Sequence, residues 1–181
     1  MKNREMVRQL TATAMMLAVL LVLGLLPAIP IGVIPVPILL QNMGVMLAGL
    51  ILGPRFGTVA VGLLLLLVAL GLPVLSGGRG GAVMFVGPTA GYLLGYCFVP
   101  VVVWLMQKVL GKQGQTWWGE LLAVLVAGVL VVDLSGTLWL MHQADMPFAA
   151  ALVSNLAFIP GDILKAALTV IIARRLKKTR R

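Results

Sequence analysis

The stretch LLQNMGVMLAGLILGPRFGTVAVGLLLLLVALGL, residues 39–72, carries one charged side chain, Arg55, and is otherwise almost wholly apolar. Gly53-Pro54-Arg55 divides it into two runs, which read as helices over about residues 38–53 and 56–72. A helix needs about 20 apolar residues to cross the hydrocarbon of a bilayer. The first run is short by that measure, so tilt, local thinning or burial among neighbouring helices must compensate. The whole chain shares this character. Of 181 residues 61% are hydrophobic and 10% charged, with a mean hydropathy of +1.09. A water-soluble domain carries about 25% charged residues. The 21 glycines and 10 prolines are scattered without period, which excludes a collagen-like or disordered chain.

Outward from this stretch, the same reading gives helix 1 at about 8–27 and helix 4 at about 88–108. Helix 5 follows at about 117–141 and helix 6 at about 148–175. The run Leu10 to Leu26, behind Lys2, Arg4 and Arg8, is longer than a signal-peptide core and lacks a small-residue cleavage site, so it stays as the first helix. A Pro-rich stretch, Pro27, Pro30, Pro35 and Pro37, separates it from helix 2. Pro160-Gly161 interrupts helix 6, whose membrane part can begin there. No internal repeat suggests two inverted halves. The expectation is an all-α integral membrane protein of six transmembrane helices, a single domain over residues 1–181.

The net charge of +9 and pI near 10.7 invite a nucleic-acid reading, but the charges sit at the ends of apolar runs and not on a face of their own. Topology accounts for them. With six spans, all basic residues except Arg79 and Lys165 fall on one side, including Arg55, Lys108, Lys112 and the C-terminal cluster from Arg174 to Arg181. The positive-inside rule then puts both termini in the cytoplasm of a multi-pass cell-membrane protein. Small residues recur at helical spacing as Ala14 and Ala18, Gly49 and Gly53, Gly87, Gly91 and Gly95, and Ala123 and Ala127. Such strips pack helices together inside the molecule or dock a partner helix.

Few side chains offer chemistry. An ionisable residue inside a membrane helix is costly and calls for a partner or a task. Asp162 and Lys165, three apart after Pro160-Gly161, share a helical face with Thr169 beyond them. They are either a structural ion pair or part of a site. Asp133 stands alone in its run, as a structural partner of Arg79, Lys165 or a backbone amide, or as a site residue. The loop Ser76-Gly77-Gly78-Arg79-Gly80-Gly81 can present N–H groups and a guanidinium to an anion. It lacks the Gly-Lys-Ser/Thr of a nucleotide-binding loop. One cysteine, Cys97, and one histidine, His142, cannot build a Cys-based metal cage or a disulfide. The serines lack a nucleophile setting, which leaves intramembrane proteolysis poorly supported. Trp117, Trp118 and Trp139 sit near helix ends, where an aromatic belt is expected.

Several runs together resemble the BioY family. They are Ile34-Pro35-Val36-Pro37 with Gln41; Leu47 to Arg55; Gly71-Leu72-Pro73-Val74 with Gly77 to Gly81; Gly87-Pro88-Thr89-Ala90-Gly91-Tyr92-Leu93-Leu94-Gly95; and Phe158-Ile159-Pro160-Gly161-Asp162 with Lys165. The chain departs from the pattern at Leu39, Ala90 and Ala157. The resemblance implies a biotin-binding S component of an energy-coupling-factor (ECF) vitamin importer, with an S-component-like bundle. Such a protein works with a transmembrane T protein and two ABC-type ATPases. It implies no catalysis, cofactor, metal or nucleic acid. It also implies that Ala14 and Ala18 dock the T protein.

Biotin carries a ureido ring with two N–H donors and a C=O acceptor, an apolar thioether ring and a carboxylate. A site needs acceptors, donors, an apolar wall and a cation or backbone amides. Asp162, with Asn155 or Gln41, suits the ureido end. Arg79 and Lys165 are candidates for the carboxylate, Tyr92 and Trp139 for the wall, and Gly80, Gly81 and Thr89 join them as binding residues. The alternatives are an S component for another small vitamin, or a polytopic membrane protein of non-transport function, enzyme or scaffold.

Overall fold

The computed structural model describes residues 2–27, 40–156 and 158–179. The prolines Pro30, Pro35 and Pro37, the run Ile34 to Pro37, Leu39, Ala157, Arg180 and Arg181 lie outside them, as does the expected start of helix 2 at residue 38. The described elements are α1 (Lys2–Leu25), α2 (Gln41–Ala69), α3 (Ala90–Val109), α4 (Trp117–Leu125), α5 (Val132–Gln143), α6 (Phe148–Leu156) and α7 (Ile159–Thr179). A π-helical stretch, Val126–Val131, joins α4 to α5 in one rod, and short 3-10 turns precede α3 and α4. Among the described residues, extended pairing amounts to one bridge, Leu75 with Arg79.

Burial is distributed as a bilayer demands. On α1, Ala12, Met16 and Leu20 recur every fourth residue and are buried, while Met15, Val19 and Val22 face outward. Large apolar side chains such as Leu66, Phe98, Leu138 and Leu164 are exposed along the other long helices. The polar residues Gln41, Asn42, Thr137, Asn155, Asp162, Lys165 and Thr169 are buried instead. An apolar girdle around polar buried groups suits hydrocarbon as solvent and not water.

The stretch that decides the fold turns back on itself. Gly53 interrupts α2 with φ 72° and ψ −169°, and Pro54 follows. That backbone region is nearly restricted to glycine. A Cβ built on Gly57 would lie 2.9 Å from the Ala48 carbonyl oxygen. In a continuous helix these residues would be roughly 13 Å apart along the axis. The two arms therefore run side by side and both close onto α3: a Cβ on Gly49 would lie 3.2 Å from Pro100 Cα, and one on Gly57 2.9 Å from Pro100 Cβ. The first arm, from Gln41 to Leu52, is buried along nearly its whole length. Burial among neighbours, one of the compensations expected for its shortness, is present.

α3 also packs on α5 through glycines. A Cβ on Gly95 would come within 3.1 Å of Val132 Cα, one on Gly91 would strike Trp139 and Ser135, and Gly136 lies against the Tyr92 ring. Two strips read from the sequence are corrected. Gly53 is the reversal of α2 with no atom near its missing Cβ, and Gly87 precedes α3, offering its carbonyl to Trp139. Helix 6 is corrected too. It breaks between Leu156 and Ile159 with a 54° bend, and Pro160 occupies the first turn of α7, where its missing N–H removes no helical bond. At the end of the bundle where the chain leaves α7, buried Glu120 of α4 accepts from Arg174 Nε at 2.6 Å and from Lys177 Nζ at 2.7 Å.

Candidate functional site

Asp162 and Lys165 stand in the opening turns of α7, one turn apart on one face, and form a buried ion pair. Their burial, 4% and 5% exposed, rules out a solvated surface pair. Thr169 continues the face, its hydroxyl donating to the Lys165 carbonyl at 2.8 Å. Asn42, on the first arm of α2, closes the other side. Its amide donates to the Gly128 carbonyl at 3.0 Å, and the side chain also reaches the Asp162 carboxylate. A π-helical turn leaves carbonyls without their usual partners, and Gly128 lies in one. Its missing Cβ leaves room for Met46, which approaches to 2.5 Å of that position.

A second polar group links α3, α5 and α6. Tyr92 Oη donates to Asn155 Oδ1 at 2.6 Å, and Asn155 Nδ2 donates to Thr137 Oγ1 at 2.6 Å and to the Asp133 carbonyl at 3.1 Å. The Phe158 ring meets Tyr92 edge-on with centroids 6.4 Å apart. Asn155 thus has its amide donors and its carbonyl occupied, and it fixes Tyr92 as a wall. Asp133 is half-buried and borders an apolar cavity of about 310 Å³ with Asn155, Leu130, Leu152 and Ile163. Its carboxylate lies within electrostatic reach of Asp162 and Lys165. Buried Tyr96 lies within electrostatic reach of Arg79, Asp133 and Asp162.

The glycine-rich loop is held by its own backbone. A Cβ on Gly80 would collide with the Leu72 carbonyl, and Gly81, at φ 93°, donates its N–H to the Val68 carbonyl at 2.8 Å. Arg79 Nε donates to the Ser76 carbonyl at 3.2 Å, which leaves the outer nitrogens of the guanidinium for other acceptors. Gln41 ties loop to bundle, donating to the Leu20 and Val74 carbonyls at 3.0 and 2.9 Å. Trp139 Nε1 donates to the Gly87 carbonyl at 2.9 Å and so positions the turn before α3.

The structure therefore brings Asp162 and Lys165 together, and Tyr92 with Asn155. It gives Trp139, Gly80 and Gly81 scaffolding contacts. Five buried side-chain oxygens have no hydrogen-bond partner among the described residues: Gln41 Oε1, Asn42 Oδ1, Thr58 Oγ1, Ser76 Oγ and Thr89 Oγ1. A buried polar atom without a partner costs about 1–3 kcal/mol, a cost that a ligand donor would remove. Sequence reading missed Asn42, Tyr96 and Thr137. The first stood beside Gln41, and an amide inside an apolar run was the signal. Among the described residues, no three His, Cys, Asp or Glu converge as metal ligands would.

The model of the BioY family matches residues 1–181. The chain belongs to the BioY family. A biotin transporter BioY of Lactococcus lactis subsp. cremoris is 51% identical over 179 residues, covering 98% of this chain and 95% of that protein. One from Rhizobium etli is 44% identical, covering 92% and 91%, and one from Thermotoga maritima 37% identical, covering 88% and 90%. Among solved structures, the S-component for biotin from an ECF-type ABC transporter superposes with a TM-score of 0.92 at 51% identity, covering 98% of this chain and 95% of that one. The helical bundle described above is thus the BioY fold, and BioY proteins are transport components, not enzymes.

Proposed function

We propose that this BioY protein captures biotin as the S component of an ECF-type importer. The observation that carries the reading is the buried Asp162–Lys165 pair, bordered by Asn42, whose Oδ1 has no partner among the described residues. Biotin carries groups complementary to these. Its two ureido N–H groups suit the Asp162 carboxylate and the free oxygens of Asn42 or Gln41, and its ureido carbonyl suits the Lys165 ammonium. Tyr92 and Phe158 offer an apolar edge for the thioether ring. Arg79, in a loop that only glycines allow to fold so tightly, suits the valeryl carboxylate.

The rest of the assembly follows from this reading. The reversal at Gly53 and the bent pair α6–α7 support six crossings, with the basic ends of the bundle in the cytoplasm. Ala14 and Ala18 face outward on α1 with Met15, Val19 and Val22, a smooth lipid-exposed strip suited to a T-protein helix, which would bring two ATPases with it. The test is binding to the purified protein. Labelled biotin should bind saturably at one site and be displaced by unlabelled biotin but not by riboflavin or thiamine. Displacement by either competitor, or no biotin binding by a monodisperse preparation, would overturn the assignment.

A further inference from the structure

Opposite in character to the biotin region, a cavity of about 580 Å³ opens at the basic end of the bundle, lined by Gln107, Gln115, Glu120, Arg174, Lys177 and Lys178. That volume lies within the range of small-molecule sites, about 300–1,000 Å³. Its lining holds three cations against one carboxylate, each oxygen of which already takes a cation. Glu120 Oε2 takes Arg174 Nε and Oε1 takes Lys177 Nζ. Arg174 spends one more donor on the Gln115 carbonyl at 2.7 Å. Most donors of the guanidinium and of the two ammonium groups remain available, and Lys178 has no anionic partner among the described residues. The lining thus offers surplus positive charge and surplus N–H to an oxyanion.

We infer that this cavity binds the phosphodiester headgroup of an anionic membrane lipid. A bilayer source is favoured over a soluble anion or an acidic protein surface by what surrounds the cavity. Trp118, 73% exposed, stands edge-on to Trp117 at the start of α4, and Lys108 lies 5.2 Å over the Trp104 ring at the end of α3. Indole rings of this kind belong at the headgroup level. Leu122 and Leu176, on the helices that line the cavity, are exposed and would meet acyl chains. Arg174 and Lys177 are oriented by Glu120 before any lipid arrives, which distinguishes a site from a diffuse basic surface. The inference rests only on that part of the proposed function which sets this end at a membrane surface, and not on biotin.

The experiment is native mass spectrometry of the full chain in detergent, titrated with phosphatidylglycerol, phosphatidylcholine or inorganic phosphate. One phosphatidylglycerol should be retained per chain, with phosphatidylcholine retained at least tenfold less. Lys178→Gln should weaken retention about fivefold, as one basic group near an anionic headgroup does. Lys112→Gln, exposed at the same end but outside the cavity, should change it less than twofold. Equal retention of both lipids, equal loss in the two variants, or inorganic phosphate competing as well as the lipid would each overturn the inference. Biotin titration of Lys178→Gln should match the parent protein, so failure of the lipid site and failure of the biotin reading give different results.

Discussion

Asp162 is the buried charge on which the proposed biotin site turns. Replacing it with Asn keeps the shape and one acceptor but removes the charge and adds donors that would face the ureido donors. Charge-assisted hydrogen bonds are worth about 1.5–3 kcal/mol each. Biotin affinity should therefore fall by roughly ten- to a hundredfold, read by titration of monodisperse protein. Asp162→Asn with unaltered affinity would move the carboxylate from site to scaffold. Asn42 separates the two roles within one side chain: its nitrogen serves the Gly128 carbonyl while its oxygen has no partner among the described residues. Asn42→Asp retains an acceptor yet loses the donor and sets a second carboxylate beside Asp162. It should lower thermal stability by more than Asn42→Gln and weaken biotin binding by about tenfold or more, checked by melting and titration of the same samples. Affinity equal to the parent in both variants would remove Asn42 from the site. These positions show how far a sequence can be read. Asp162 and Lys165 were visible because charge in an apolar run is rare. Asn155 and Tyr92 were visible as candidates, but their mutual bond depends on three helices meeting, which no local pattern records.

Among the elements, the reversal in α2 is the one the sequence marked most clearly, since Gly-Pro-Arg inside an apolar run is a poor continuation of a helix. The break in α6–α7 was marked less well. Proline suggests a point of interruption, whereas the first turn of a helix accommodates it, so the break lies upstream. The π-helical stretch before α5 had no sequence signal at all; within it, Gly128 meets Asn42 and Met46 of α2. Two substitutions distinguish conformational cost from packing cost in α2. Gly53→Ala meets no neighbour, so its penalty is backbone strain alone, about 1–3 kcal/mol. Gly57→Leu must push apart both the Ala48 carbonyl and Pro100. It should lower the melting temperature further and leave less correctly folded protein on size exclusion. If Gly53→Ala proves the more harmful, the close approach of the two arms is not what holds them.

For the whole molecule, orientation and partnership are the open quantities that experiment reaches directly. A reporter fused after Arg181 should read cytoplasmic and one inserted at Gly78 should read outside; the reverse pattern would overturn the orientation, and both on one side would overturn the six-crossing arrangement. Ala14→Trp or Ala18→Trp should spare biotin binding and reduce energised uptake, because neither residue supports the interior of this chain. Equal loss of both activities would assign α1 to internal packing. The reversal at Gly53 also bears on biogenesis. Its arms, of about 12 and 15 residues, reach only roughly 18 and 22 Å, less than the hydrocarbon thickness. Neither is a convincing stop or start for the insertion machinery. On the six-crossing reading, both arms would enter the bilayer as one helical hairpin. The first arm would then shed lipid as α3 and α7 enclose it, so Gln41 and Asn42, buried on that arm, would be among the last residues to reach their final surroundings.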